Sequence, residues 1–167
     1  MLIGILSDTH GRVSITRNAI RTLVARGALH LIHCGDLDTQ PVLDELVGHP
    51  ASFVFGNNDY DRPTLRRYAE SIGVNCLGSY GVIELAGKKI AVTHGDDHRV
   101  SSRLTSRGNE PGYDYLFTGH THVRHDNRLP TGPRWINPGA LYRAQIKTVA
   151  LLDLSTDTLT SIIIDDV

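Results

Sequence analysis

The first half of the chain alternates short apolar runs with amphipathic segments, and this alternation constrains the fold more than any other feature. Three apolar runs are typical of buried strands: residues 2–7, which are rich in branched side chains, 29–34 and 51–55. Three segments have the apolar spacing and end signals of helices: residues 14–26, 39–48 and 63–73. Strands joined by helices pair in parallel through right-handed crossovers, so the first half predicts an α/β arrangement.

The second half of the chain is predicted to be rich in strands. Residues 81–85 and 88–93 flank a short turn and predict a hairpin, and residues 114–118 predict a further strand. A final hairpin is predicted from residues 146–154 and 158–166. Such a chain could form two stacked, mixed sheets with helices outside. No repeat or change of composition marks a linker, so we expect one domain over residues 1–167.

Composition excludes several classes of protein. The formal net charge is −1, which argues against a surface for duplex nucleic acid but not against a small phosphate-bearing substrate. The two cysteines, Cys34 and Cys76, are isolated, which is typical of a reducing compartment. The sequence contains neither a signal-peptide pattern nor an apolar run long enough to cross a membrane. We therefore predict a cytoplasmic protein.

Each predicted core strand is followed by side chains that can bind a metal ion. The donors are Asp8, His10, Asp36, Asn57, His94, His120 and His122. Ligands of open α/β sheets bind beyond the carboxyl ends of the strands, so these donors are expected to converge on one rim. The neighbouring glycines allow sharp turns and close backbone approach: Gly11, Gly35, Gly56, Gly95 and Gly119. The pairs Asp8/His10 and His120/His122 are two residues apart, which in an extended segment puts both side chains on one face.

This set of donors predicts a centre with two metal ions. It is too large for one tetrahedral zinc ion, which takes about four ligands. Imidazole, carboxylate and amide donors without thiolate favour Mn²⁺, Fe or Zn. Each motif alone has a simpler explanation: an Asp-x-His segment is commonly a turn, and a lone histidine such as His33 is commonly a packed residue. Only their occurrence in order, each after an apolar strand, indicates a site.

The motifs "DTHG", "CGD", "GNND", "THG" and "GHTH", followed by "INPGA", resemble those of the calcineurin-like metallophosphoesterase superfamily. The short chain is similar to the small bacterial and archaeal phosphodiesterases of the YfcE type. The likeness covers residues 2 to about 165. It implies a four-layer αββα sandwich of two mixed β-sheets flanked by helices, with a dinuclear metal site at its rim.

The resemblance also implies a role for each donor. Asp8, His10 and His122 would hold the first metal; Asn57, His94 and His120 would hold the second; and Asp36 would bridge them. Asp36, Asn57, His94 and His122 are also expected to take part in catalysis. The resemblance implies two divalent ions, with Mn²⁺ favoured and Fe, Zn or Ni as alternatives, and attack on phosphorus by a hydroxide that bridges them. Asn137 of "INPGA" is expected to support the site.

Two positions depart from the superfamily's usual pattern. Asn58 stands where many members have a histidine that assists the leaving group, and a neutral amide is a poor proton donor. Asp96 stands where many relatives have a second histidine, and its charge could repel anionic substrates. His98 could partly replace that histidine, although a solvent-exposed role is favoured for it.

The leading prediction is therefore a metal-dependent phosphodiesterase that acts on small or activated phosphodiesters. The alternatives are a phosphomonoesterase and a non-catalytic binding scaffold of the same fold. All seven donor positions are intact, which speaks against a scaffold. The apolar terminal strand, residues 158–166, could pair with another copy of the chain or belong to the core. A helix carrying Arg99, Arg103 and Arg107 would present a solvated basic stripe.

Overall fold

A computed structural model describes residues 1–105, 112–128, 130 and 132–165, and these residues form two β-sheets and four helices. The helices are α1 (Val13–Ala25), α2 (Gln40–Asp44), α3 (Arg62–Ser71) and α4 (His98–Thr105). The strands are β1 (Leu2–Leu6), β2 (His30–His33), β3 (Ala51–Phe53), β4 (Asn75–Cys76), β5 (Tyr80–Leu85), β6 (Lys88–Thr93), β7 (Tyr115–Phe117), β8 (His125–Arg128), β9 (Arg134–Asn137), β10 (Thr148–Asp153) and β11 (Thr158–Ile163).

The first sheet contains the strands of the predicted βα repeats. Its six strands lie in the order β11-β10-β1-β2-β3-β4. β1, β2, β3 and β4 are mutually parallel, whereas β10 pairs antiparallel with β1, and β11 pairs antiparallel with β10. The predicted parallel pairing is therefore confirmed. Each connection between these parallel strands contains a helix, as a crossover requires.

The second sheet contains two strands, β8 and β9, that the sequence pattern did not indicate. Its five strands lie in the order β5-β6-β7-β9-β8, with β6, β7 and β9 parallel. We expected residues 136–140 to form a supporting loop, but Arg134–Asn137 forms β9 beside β7. The pattern concealed this strand because it is short and begins with a buried arginine, whose charge is paired with two carboxylates.

The sheets stack face to face, and helices cover both outer faces. Ile5, Ile32, Val92 and Phe117 belong to the apolar core between the sheets. Helices α1, α2 and α3 pack on the other face of the first sheet, and Leu104 of α4 packs on the second. This is the predicted four-layer sandwich. Within the part of the chain that the structure describes, no helix is long and apolar enough to cross a membrane.

Several predicted element ends differ from those in the structure. The predicted helix 39–48 ends at Asp44, and α3 begins at Arg62 because the Asp61 carboxylate accepts a hydrogen bond from the Thr64 amide. β11 is an edge strand that ends at Ile163, whose side chain is exposed, whereas Ile162 and Ile164 are buried. Residue 166 and Arg107, the last residue of the predicted basic stripe, lie outside the described residues.

Candidate metal centre

The predicted donors lie where the strands of both sheets end. β1 leads into Asp8 and His10, and β2 leads into Asp36. From the second sheet, β6 leads into His94, and β7 leads into His120 and His122. Because these four strands are parallel within their sheets and the sheets are stacked, the donors meet at one edge of the sandwich, which we call the site rim.

The backbone at these donors corrects the expected geometry. We expected the Asp8/His10 and His120/His122 pairs to be extended, but their φ angles are +55°, +44°, +66° and +58°. Asp36 has a φ of +57°. Left-handed backbone costs a non-glycine residue about 1 to 3 kcal/mol, so five donors are held in conformations that they would not choose alone. The pairs converge because the chain turns sharply at each donor, not because an extended segment shows one face.

Three glycines let the donor loops approach one another. A Cβ atom on Gly119 would lie 1.9 Å from Ser7 Oγ and 2.8 Å from Asp8 Oδ2. A Cβ on Gly56 would lie 2.1 Å from Asp36 Oδ1, and a Cβ on Gly35 would lie 2.6 Å from His94 Nδ1. These separations leave no room for a side chain, which confirms the predicted close approach at these positions.

One group of donors consists of Asp8, His10 and His122. Each offers an atom, and these atoms lie within 4.8 Å of one another. His122 Nε2 is 3.2 Å from Asp8 Oδ1. His10 Nδ1 lies 3.2 Å from a carboxylate oxygen of Asp38, so it carries the proton and leaves Nε2 as the free nitrogen.

A second group consists of Asp8, Asp36 and His94, again with atoms within 4.8 Å of one another. His94 Nδ1 donates to the Cys34 carbonyl at 2.8 Å, which leaves Nε2 free. Asp36 Oδ2 lies 3.3 Å from His94 Nε2 and 3.5 Å from His10 Nε2. One carboxylate oxygen therefore lies close to the free imidazole nitrogens of both groups.

Two predicted donors lie less tightly in the site. The His120 ring is exposed, and its centroid is 5.1 Å from that of His94. Asn57 is exposed and makes no hydrogen bond to the other donors within the described residues. The neighbouring Asn58 contacts the site instead: its backbone amide donates to Asp36 Oδ1 and its side-chain amide donates to Asp36 Oδ2, each at 2.8 Å. The role of Asn57 as a metal ligand stays a prediction.

The residues present fit a divalent metal ion. Asp8 Oδ1, His10 Nε2 and His94 Nε2 are buried without a hydrogen-bond partner among the described residues. Buried polar atoms are normally satisfied, and three convergent ones with lone pairs are suited to a cation. Carboxylate and imidazole donors without thiolate match Mn²⁺, Fe, Zn or Ni.

Without metal, the buried acids and bases hold each other in charged forms. Burial acts to lower the pKa of His94, but the nearby carboxylates of Asp36 and Asp8 outweigh burial and raise it to about 9. Burial acts to raise the pKa of Asp36, but its contacts with His94 and Asn58 hold it well below the usual range. Bound cations would replace the protons on such imidazoles, which must be neutral to act as ligands.

A buried carboxylate that sequence reasoning missed organises the rim. Asp59 accepts the backbone N–H groups of Asp36, Asp38 and Gly56 at 2.9, 2.7 and 2.7 Å. Burial raises its pKa. Its place in "GNND" was the only signal, and nothing in that short polar stretch distinguishes it from a turn residue.

His33 also has a role beyond packing. Its Nδ1 accepts the Gly35 amide hydrogen, so Nε2 carries the proton and donates to the Thr9 hydroxyl at 3.0 Å. The Thr9 hydroxyl in turn donates to the Asp36 carbonyl. Burial lowers the pKa of His33 to about 3, so the imidazole is neutral. Its hydrogen bonds connect the loop that carries Asp8 and His10 with the loop that carries Asp36.

The remaining predicted neighbours of the site have the expected supporting or exposed positions. Asn137 donates to the Gly119 carbonyl at 2.7 Å and accepts the Gly139 amide, which confirms its supporting role. His98 is exposed at the start of α4, as favoured, and Asp96 is exposed just before it.

Comparison with known proteins agrees with this fold and site. The calcineurin-like phosphoesterase superfamily domain matches residues 1–157. A phosphodiesterase of Methanocaldococcus jannaschii is 32% identical over 158 residues, covering 92% of this chain and 93% of that protein. A probable metallophosphoesterase of Methanothermobacter thermautotrophicus is 30% identical over 156 residues, covering 84% of each.

Solved structures show the same architecture. An archaeal phosphodiesterase superposes with a TM-score of 0.88 at 29% identity, covering 98% of this chain and all of that one. YfcE, a phosphoesterase of E. coli, has the same fold, with a TM-score of 0.66 at 19% identity and coverage of 99% and 100%. The chain belongs to the calcineurin-like phosphoesterase superfamily, and its resemblance to the small members of that superfamily is confirmed.

Proposed function

We propose that this chain is a metal-dependent phosphodiesterase that hydrolyses small or activated phosphodiesters at two divalent metal ions. The position of Asp36 Oδ2, 3.5 Å from His10 Nε2 and 3.3 Å from His94 Nε2, carries the proposal. A carboxylate oxygen between two free imidazole nitrogens is suited to be shared by two cations. Similarity to a curated phosphodiesterase of near-equal length supports the reaction class. The net charge of −1 supports a small phosphoester over a nucleic-acid duplex.

In this proposal, the chain's own residues orient the metal ligands. Asp38 holds His10, and the Cys34 carbonyl holds His94, each with Nε2 turned toward the rim. Asp8 belongs to both groups, Asp36 would bridge the two ions, and His120 and Asn57 would complete the second group. Mn²⁺ is favoured, with Fe, Zn and Ni as alternatives. When bound, two such cations supply an activated water nucleophile and neutralise charge on the phosphoryl oxygens.

The surroundings of Asn58 support a preference for activated esters. Its side-chain N–H group donates to Asp36, and its carbonyl oxygen accepts from the Tyr60 hydroxyl at 3.2 Å. An amide engaged in this way does not protonate a leaving group. Esters whose leaving groups depart as stable anions should therefore react fastest.

The test compares bis-p-nitrophenyl phosphate with p-nitrophenyl phosphate. Chelator-treated protein, protein reloaded with Mn²⁺ and a His122→Ala variant would each be assayed, with His49→Ala as a histidine control outside the site. We expect Mn²⁺-dependent turnover of the diester and a loss of more than about 100-fold in His122→Ala, because one ligand is removed. His49→Ala should behave as the unaltered protein.

Three other outcomes would contradict the proposal. A consistent preference for p-nitrophenyl phosphate would indicate a phosphomonoesterase. Turnover that persists after chelation and in His122→Ala would exclude metal-dependent chemistry at this rim. No turnover of either ester in protein shown to bind Mn²⁺ would favour the binding scaffold.

A further inference from the structure

A cavity of about 750 Å³ lies beside the candidate metal centre. One wall is the segment that enters α1, from Gly11 to Ile15, and the other is the segment from Leu141 to Lys147. Arg12, Arg143 and Lys147 line it, together with Tyr142. Of the residues that the structure describes, none lining this cavity is acidic. We call it the arginine pocket.

The arginine pocket adjoins the first group of donors. Gly11 and Arg12 directly follow His10 in the chain, and the Tyr142 ring centroid lies 5.3 Å from that of His10. His122 is hydrogen-bonded to the backbone of Arg143, which helps to raise the pKa of His122 after the larger effect of Asp8. A phosphodiester held at the metal centre would therefore extend one of its two ester groups toward this pocket.

Two guanidinium groups are gathered around one phenol ring in the arginine pocket. The Arg12 guanidinium carbon lies 4.6 Å from the Tyr142 ring centroid, and that of Arg143 lies 5.2 Å from it. Hydrogen bonds from Arg12 and Arg143 lower the pKa of the Tyr142 hydroxyl. Because the ring is occupied by the two cations, it serves to position them and not to stack on a base.

Neither arginine has a carboxylate partner among the described residues, in contrast to Arg17 and Arg134. Arg17 pairs with Glu45, and Arg134 pairs with Asp126 and Asp157. Across residues 1–105, 112–128, 130 and 132–165, no carboxylate lies within ion-pair distance of Arg12 or Arg143. Two cations around one ring favour the binding of an anion, and a phosphate has several oxygens that can accept hydrogen bonds from guanidinium groups.

We propose that the arginine pocket binds a second, non-reacting phosphate of the substrate. The proposal rests on the proposed phosphodiesterase function and narrows its substrate class to diesters that carry a further phosphate group on one ester arm. The metal centre would take the reacting phosphodiester, and Arg12 and Arg143 would take the additional phosphate. Specificity then comes from the pocket, because the metal centre itself contacts only the reacting group.

The kinetic test uses two chromogenic diesters that differ by one phosphate. They are thymidine 5′-(p-nitrophenyl phosphate) and the same compound phosphorylated at its 3′ oxygen, assayed with the Mn²⁺-loaded protein. We expect kcat/KM to be about tenfold higher for the phosphorylated compound, and Arg12→Gln and Arg143→Gln each to remove most of that ratio. The control is Arg17→Gln, an arginine of α1 outside the pocket, which should keep the ratio. Thermal unfolding would confirm that each variant is folded.

A binding measurement separates the two proposals. Chelator-treated protein would be titrated with inorganic pyrophosphate by calorimetry. Arg12→Gln and Arg143→Gln should weaken binding about tenfold, whereas Arg17→Gln should not. If pyrophosphate binding depends on the two arginines but the protein hydrolyses neither diester, the pocket proposal stands and the phosphodiesterase proposal is rejected. If the 3′ phosphate does not raise kcat/KM for hydrolysis and neither variant weakens pyrophosphate binding, the pocket proposal is rejected and the phosphodiesterase proposal stands.

Discussion

Two polar clusters lie at the two ends of strand β9, and they differ in how their charged and polar groups are paired. At its start, Arg134 donates to both Asp126 oxygens at 2.8 and 2.7 Å and also pairs with Asp157. We call these residues the far-end cluster. At the end of β9, Asn137 donates a hydrogen bond to the Gly119 carbonyl and so supports the site rim. Buried atoms of Asp8, His10 and His94 at the rim have no hydrogen-bond partner among the described residues. Among the described residues, each charged group of the far-end cluster has a partner, whereas the rim keeps buried polar atoms without one.

The comparison teaches that buried charge alone does not identify a functional site. Arg134 is only 8% exposed and its pKa is raised by Asp126, yet its guanidinium group is paired with Asp126 and Asp157. The rim has less regular backbone, with donors in left-handed conformations, and incomplete hydrogen bonding. Strain and unsatisfied atoms together distinguish a site from a structural ion cluster.

The largest expected effect is that of Asp8→Asn on activity at the rim. We expect metal-dependent hydrolysis to fall by more than about 100-fold, because a charged ligand is lost. The free energy of unfolding of metal-free protein should change by less than about 1 kcal/mol, since an amide oxygen can still accept the His120 N–H and a buried charge is removed. Ester hydrolysis and urea unfolding would measure the two quantities. A large loss of stability would show that Asp8 is structural.

Arg134→Gln, at the far-end cluster, should lower the stability of the protein without lowering its activity. Two carboxylates lose their partner, and the free energy of unfolding should fall by about 2 to 3 kcal/mol because the network is partly buried. The matched control is Arg128→Gln, whose 62% exposed side chain also pairs with Asp157 and should cost less than about 1 kcal/mol. The kcat of the folded fraction should not change. Equal effects of the two variants in urea unfolding would contradict this account.

Asp59→Asn should affect both stability and the rim. An amide puts N–H donors against the backbone N–H groups of Asp36, Asp38 and Gly56, which should lower the free energy of unfolding by about 2 kcal/mol. Because Asp59 holds the loop that carries Asp36, Mn²⁺ affinity should also fall by about tenfold. Calorimetric Mn²⁺ titration beside urea unfolding would test this. Unchanged Mn²⁺ affinity would separate Asp59 from the site.

The smallest expected effect is a difference in the pH dependence of the two clusters. The pKa of His94 is raised from 6.5 to about 9 without metal, so its contribution to stability is full below pH 6.5 and is lost as pH rises through 9. The pKa of Asp126 is lowered from 3.8 by Arg134, so its contribution is present above pH 3.8 and is lost as pH falls further.

Urea unfolding of chelator-treated protein across pH would measure both contributions. A His94→Gln variant should lose the decline above pH 6.5, and Arg134→Gln should lose the acid-side decline that depends on Asp126. If His94→Gln keeps the same alkaline decline, the rim imidazole is not the group responsible.

The fold was predictable wherever a strand or helix carries its own apolar pattern. Residues 2–7 and 51–55 include buried strands because apolar side chains predominate along them. β9 was missed because its ends are polar: Arg134 is paired across the sheet, and Asn137 is bonded to another loop. No local pattern indicates that such residues are in a strand, since their partners are distant in the chain.

The set of rim donors was also predictable, but its geometry was not. The order of motifs indicated Asp8, His10, Asp36, His94 and the two histidines after β7. Their left-handed backbone, and the support from Asp59 and Asp38, depend on hydrogen bonds between loops that are far apart in sequence. The arginine pocket was likewise hidden, because Arg12 and Arg143 come together only when β10 pairs with β1, which is distant in the chain.

The sequence by itself determined the βα alternation, the superfamily and the residue types available at the ends of the strands. Those depend on local periodicity and on short motifs that are read along the chain. The tertiary structure alone decided which nitrogen of His10 and His94 is free, which charges are paired and that Arg12 and Arg143 lie around one tyrosine ring. These properties depend on separations of a few ångströms between distant segments, because hydrogen bonds and ion pairs form only at such short range.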